Sequence, residues 1–155
     1  MRANIYVASS WRNAKQPGVV KILRGAGFDV YDFRNPKPGD NGFHWSEIDP
    51  NWKDWTCAEY VRGLEHPTAK AGFASDFEAM KAADACVLVL PCGRSAHLEA
   101  GWFVGRGKPV FALLDVIEPE LMYAMFWQLC SSEARLVLAL TDAFPERSHV
   151  QCEVR

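Results

Sequence analysis

Apolar positions along the chain change period several times, and each change marks a new element. Asn4-Ile5-Tyr6-Val7-Ala8 is a short apolar run and reads as a buried strand. Val19, Val20, Ile22 and Leu23 then fall at helical spacing, with Gly25 and Gly27 placed to end the helix. Phe28 to Phe33 alternates and is β-rich, predicting a second strand. From Arg34 to Trp55 neither period holds; Pro, Gly, Asp, Asn and Trp dominate. Thr56-Cys57-Ala58-Glu59 has the form of a capping box and predicts a short helix ending before Pro67. Thr68 begins the next helix, with Phe73, Phe77 and Met80 on one apolar face. Ala85 to Leu90 is continuously apolar, as a strand covered on both faces should be. A loop from Pro91 to Ser95 leads into a helix from Ala96 to Gly105, followed by a strand from Val110 to Leu114. The remaining pattern is read as a helix from Glu118 to Cys130 and a last strand from Leu136 to Leu140.

Alternating strands and helices predict an α/β fold: a doubly wound parallel sheet of five strands in the flavodoxin-like order 2-1-3-4-5. The 155 residues fit one domain, residues 1–155, with a tryptophan-rich insertion at about 34–56. In such sheets ligands bind beyond the carboxyl ends of the strands, where the strand order reverses. That rule confines the search to two loops, Ala8 to Asn13 and Pro91 to Glu99.

Composition narrows the classes of function. Hydrophobic residues make up 49%, charged residues 23%, and the formal net charge is -2, so no global field points to a nucleic acid polymer or a membrane surface. No positively charged leader precedes the first strand, and no apolar run approaches the roughly 20 residues of a membrane span. A cytoplasmic setting is expected. The five cysteines, 57, 86, 92, 130 and 152, are odd in number and lack metal-type spacing, so reduced thiols are expected and Cys86 belongs to the core. His44, His66, His97 and His149 form no ligand pair, and neither metal nor cofactor is predicted.

Candidate chemistry lies in the two crevice loops. Glu99 falls near the start of a helix beside the crevice, where the helix dipole is expected to keep its carboxylate ionised. A charged, oriented carboxylate there can attack an electron-poor anomeric carbon. Asp76, mid-helix and without a capping duty, is the candidate second carboxylate, suited to general acid chemistry on a leaving base. Asp84, just before the buried strand, reads as an anchor. Ser10 and Arg12, with Ser95 and Gly93 across the crevice, suit a phosphate or a sugar hydroxyl. His97, two residues before Glu99, should point elsewhere. Gly101 and Gly105 are expected to let their helix approach the sheet closely. Trp45, Trp52 and Trp55 in the insertion offer flat platforms for a base, or cover for a dimer partner.

Together these residues resemble the nucleoside 2-deoxyribosyltransferase family and its relatives, the nucleoside 5'-monophosphate N-glycosidases. The carriers are Ile5-Tyr6-Val7-Ala8 with its polar loop, Asp76 eight residues before Asp84, and the apolar strand. To these add His97-Leu98-Glu99-Ala100-Gly101-Trp102 followed by Gly105-Arg106-Gly107-Lys108-Pro109. The resemblance spans roughly residues 3 to 115. It implies that Glu99 is the nucleophile forming a glycosyl ester and that Asp76 contacts the substrate and assists base departure. It also implies a nucleoside or nucleotide as substrate, no metal or redox cofactor, and a homodimer or higher homo-oligomer. Two positions depart from the transferase pattern: Gly93 stands where the transferases carry an aspartate, and Ser10-Trp11-Arg12 is closer to the loop of the monophosphate hydrolases. A non-catalytic nucleotide-binding or sensing module on the same scaffold is the alternative. Such a module needs Arg12 and the tryptophans but not Glu99 and Asp76 together.

Overall fold

A computed structural model describes residues 2–115 and 119–146. The strands are β1 (Asn4–Ala8), β2 (Asp29–Asp32), β3 (Ala85–Val89), β4 (Val110–Leu113) and β5 (Gln128–Cys130). The helices are α1 (Gln16–Gly25), α2 (Cys57–Leu64), α3 (Pro67–Ala82), α4 (Arg94–Gly105) and α5 (Glu133–Ala143). The five strands form one parallel sheet in the order β2-β1-β3-β4-β5, as the alternation of elements predicts. His149 and Cys152 lie outside the described residues, as does the first residue of the helix expected from Glu118.

Every residue of β3 is buried, which explains its uninterrupted apolar run. Alternation along β1 divides the core. Ile5 and Val7 face a cluster with Val19, Leu23, Phe111, Leu136 and Leu140, covered by α1 and α5. Tyr6 and Ala8 face the other cluster with Met80, Cys86, Leu88, Ala96, Ala100 and Phe103, covered by α3 and α4. Asp76 and Glu99, the candidate carboxylates, stand on the two helices that cover this second face.

Two local signals act as expected. Thr56 caps α2 in a full capping box, its hydroxyl accepting from Glu59 N while the Glu59 carboxylate accepts from Thr56 N at 2.7 Å. Asp84 ties the start of β3 to the start of β1 through Oδ2, which accepts from Asn4 N at 2.8 Å.

The last two elements exchange identity relative to the sequence reading. Residues 128–130 form β5, preceded by a short 3-10 turn at Leu121–Met125, and the segment read as the final strand is α5. Ser132 caps α5, and Leu136, Ala139, Leu140 and Ala143 recur at helical spacing toward the core, leaving Leu138 on the exposed side. The run Leu-Val-Leu-Ala-Leu hides that period because its outward positions are apolar too. A strand of only three residues is too short to show any period. The strand order survives because one element still supplies the fifth strand.

Gly101 and Gly105 do not bring α4 onto the sheet. Both are exposed, and a Cβ at either would meet nothing within 4 Å. Close approach comes from Ala96 and Ala100, at 1% and 0% exposure, on the opposite side of the helix.

Candidate active site

The two loops predicted to line the crevice are fastened together. Asn13, at 4% exposure, donates through Nδ2 to Ser9 Oγ, Val89 O and Pro91 O, each at 3.2 Å. Ser9 Oγ donates to Val89 O at 2.9 Å. Arg34 holds the other side of the first loop: its Nη2 reaches Ser10 O, Trp11 O and Asn13 O at 2.8–3.0 Å. The guanidinium of Arg34 also lies 5.6 Å from the Trp11 ring centroid. Beneath it, Asp32 at the end of β2 accepts from Gln16 Nε2 at 2.8 Å and from Arg34 N at 3.1 Å. Buried amide and carboxylate groups thus fix the crevice walls before any ligand arrives.

Behind this frame, four side chains converge on the α3/α4 face. Tyr6 of β1 and Tyr31 of β2 stack with ring centroids 5.4 Å apart and planes 12° from parallel. The Tyr31 hydroxyl donates to Asp76 Oδ1 on α3 at 2.8 Å and lies 3.2 Å from Ser75 Oγ. Tyr6 is fully buried, and among the described residues its hydroxyl makes no hydrogen bond of ordinary length and angle. It faces Glu99 of α4 closely enough to offset part of the forces acting on that carboxyl.

Those forces are strong. Burial, and then the charge of Asp76, push the Glu99 carboxyl up to about 7, while the Tyr6 hydroxyl pulls the other way. Asp76 is also raised: burial dominates, the hydrogen bond from Tyr31 opposes it, and the charge of Asp40 adds a smaller upward push. Tyr6 and Tyr31 are both pushed above the usual phenol range, chiefly by burial. The Cys92 thiol is pushed up to about 11 by burial and then by Glu99. Glu99 and Asp76 therefore share one electrostatic environment, in which the ionisation of one opposes that of the other.

The expectation that a helix dipole holds Glu99 ionised does not survive. α4 begins at Arg94, so Glu99 lies in its second turn, beyond the free N–H groups of the first. Burial against Tyr6 and the Asp76 charge dominate instead.

The remaining predicted residues divide by location. Ser10 is half-buried, and its Oγ accepts from Arg12 N at 3.2 Å; the Arg12 side chain is exposed. Ser95 sits exposed in the first turn of α4, and Gly93 is the residue that caps it. His97 points away from the carboxylate pair: Nδ1 lies 2.9 Å from Gly93 O and Nε2 lies 2.8 Å from Tyr123 Oη. Trp45 and Trp55 of the insertion form a partly buried satellite cluster against α2. Trp45 packs edge-on to Phe43, Trp55 and Tyr60, with centroids 4.8–5.8 Å apart. Trp55 covers Gly63 and donates through Nε1 to Asp49 Oδ2 at 2.6 Å. Trp52 carries Lys53 over its ring at 5.9 Å.

Sequence reasoning overlooked Tyr6, Tyr31, Asn13, Arg34 and Asp40. A signal for Tyr6 existed: a phenol at the centre of a buried parallel strand must aim its hydroxyl somewhere on one face. Asp40 had none, since an aperiodic segment gives no direction to its side chains.

No family model matches the chain, and no curated protein matches it. Among solved structures, the chain is similar to a 2-deoxyribosyltransferase from Bacillus psychrosaccharolyticus, at 19% identity and a TM-score of 0.47. That match covers 89% of this chain and 96% of the other. It is also similar to the CMP N-glycosidase of Clostridium botulinum, at 15% identity and a TM-score of 0.48, covering 90% of this chain and 98% of the other.

Proposed function

We propose that this chain cleaves the N-glycosidic bond of a (deoxy)nucleoside or nucleoside 5'-monophosphate, with Glu99 as nucleophile and Asp76 assisting the departing base. The observation that carries the reading is the pairing of Glu99 with Asp76 in one half-buried, tyrosine-lined site beside the strand-order reversal. A sensing module has no use for two carboxyls that raise each other's cost of ionisation; a glycosidic-bond enzyme does.

Below about pH 7 the pair retains a proton. At rest that proton sits on Glu99, which titrates against a charged Asp76; the reactive arrangement moves it to Asp76 and leaves Glu99 bare. A Glu99 oxygen then forms an ester with C1' as the C1'–N bond breaks, and the base leaves with the electron pair and the Asp76 proton. Water, or the nitrogen of a second base, then attacks C1', giving up its proton to Asp76 as the ester bond breaks and Glu99 leaves as carboxylate. Tyr6 positions the Glu99 carboxylate, and Tyr31 orients Asp76. Ser10, Arg12, Ser95 and the Gly93 turn hold the 5' end of the sugar, and the insertion that carries Trp45, Trp52 and Trp55 flanks the base. The working unit is a homodimer or higher homo-oligomer in the cytoplasm, acting without cofactor.

The test is base release from a panel of nucleosides and 5'-monophosphates, each with and without a second free base, followed by chromatography. Release from at least one member is expected from the native chain, and none from a folded Glu99→Ala variant. Undiminished turnover by folded Glu99→Ala would sink the mechanism. Monophosphate-only release would give Arg12 a phosphate to hold, and a new nucleoside appearing only with added base would mean transfer.

A further inference from the structure

We propose that the tryptophan-rich insertion is a fixed wall of the active site, and that Asp40 is the positioning residue through which it acts on Asp76. The inference rests on the glycosidic reading above and extends it to a residue outside the predicted carboxylate pair.

The insertion is docked at two glycines. Gly42 has φ +73°, a conformation that L side chains rarely adopt, and a Cβ there would collide with Phe33 O and lie 3.0 Å from the Trp11 ring. At Gly72, in α3 one turn before Asp76, a Cβ would lie 2.8 Å from Phe43 Cβ. The segment 40–43 therefore bridges the end of β2 to the helix that carries Asp76. Its tight turn is closed by Asp40 itself, whose N donates to Lys37 O at 3.0 Å and whose Oδ1 accepts from Gly42 N at 2.9 Å.

Held there by the turn and by the packing of Phe43 on α3, the Asp40 carboxylate adds a like-charge push on Asp76 and on the Tyr31 hydroxyl that donates to it, smaller than the effect of burial at either group. The groups influencing Asp76 come from the insertion (Asp40) and from β2 (Tyr31); Asp76 in turn acts on Tyr6 of β1 and Glu99 of α4. The influences on Glu99 are burial, Asp76 and Tyr6. A negative charge that presses on one member of a proton-sharing pair moves the proton toward that member. Asp40 thus favours the arrangement with Asp76 protonated and Glu99 bare, the one that a departing base requires.

The experiment titrates the Asp76 carboxyl in the substrate-free protein by carbon-13 NMR, with the signal assigned from the Asp76→Asn spectrum. Asp40→Asn keeps an oxygen to accept from Gly42 N and removes only the charge, so the Asp76 midpoint is expected to fall. Asp54→Asn, on the exposed outer part of the insertion, should leave it in place. Gly72→Ala, which drives Phe43 off α3 while leaving Asp40 intact, should lower it as well. An unchanged midpoint in both Asp40→Asn and Gly72→Ala overturns the inference, as does an equal fall in Asp54→Asn. The readout needs no substrate, so silence across the nucleoside panel with a lowered midpoint would count against the glycosidic reading alone. Where base release is measured, Asp40→Asn should reduce kcat with KM little changed; a change confined to KM would contradict action through Asp76.

Discussion

Glu99 is a carboxyl held against its own preference. Its folded value of about 7 lies above the ordinary 4.5, so the unfolded chain releases this proton more readily than the folded one. For a group raised on folding, the associated stability is complete below the unfolded value and is lost as pH rises through the folded one. The window is therefore about pH 4.5 to 7, and at pH 8 the bare carboxylate weighs fully against folding. Glu99→Gln removes the cost and should stabilise the protein at pH 8 by on the order of 1–3 kcal/mol, with little gain at pH 4.5. Urea denaturation at the two pH values checks this; an equal gain at both would place the benefit somewhere other than the ionisation of Glu99.

At the scale of elements, the insertion shows how an aperiodic segment acquires order. Trp55 lies over Gly63 of α2 so closely that a Cβ would come within 2.6 Å of its ring. Gly63→Ala should cost about 1–3 kcal/mol through overpacking, read as a lower urea midpoint at unchanged slope. Unaltered stability would mean that the satellite cluster is not tightly closed. Local chemistry made some of this readable in advance: Thr56 and Glu59 announced the start of α2, and the buried run 85–90 announced β3. Glu99 and Asp76 were legible as helix residues, and they stand on α4 and α3 on one face of the sheet. What failed was periodicity where both faces are apolar, as in 136–140, or where the element is too short to repeat its period, as in 128–130. The directions of Tyr6, Tyr31 and Asp40 depend on packing between distant segments, which no local pattern encodes.

Across the whole molecule, a few buried polar groups determine whether the crevice exists. Asn13 ties the loop after β1 to the end of β3 through Val89 O and Pro91 O, also reaches Ser9 Oγ within its own loop, and accepts at Oδ1 from Lys15 N at 2.9 Å. Asn13→Ala should therefore cost about 2–3 kcal/mol, because partners that exclude water are left unsatisfied. If the catalytic reading holds, KM for any turned-over nucleoside should rise as the two loops separate. Chemical denaturation and steady-state kinetics read the two effects independently; normal stability would show that the latch is dispensable.

The sheet ends in short strands on both sides, β2 with four residues and β5 with three. An open strand edge is a template on which another chain can hydrogen-bond, and its power grows with the length of backbone offered. Edges this brief present too few free N–H and C=O groups for a foreign strand to settle in register. Short edges of this kind disfavour sheet-to-sheet growth, although Trp127 and Leu129 leave apolar surface beside β5.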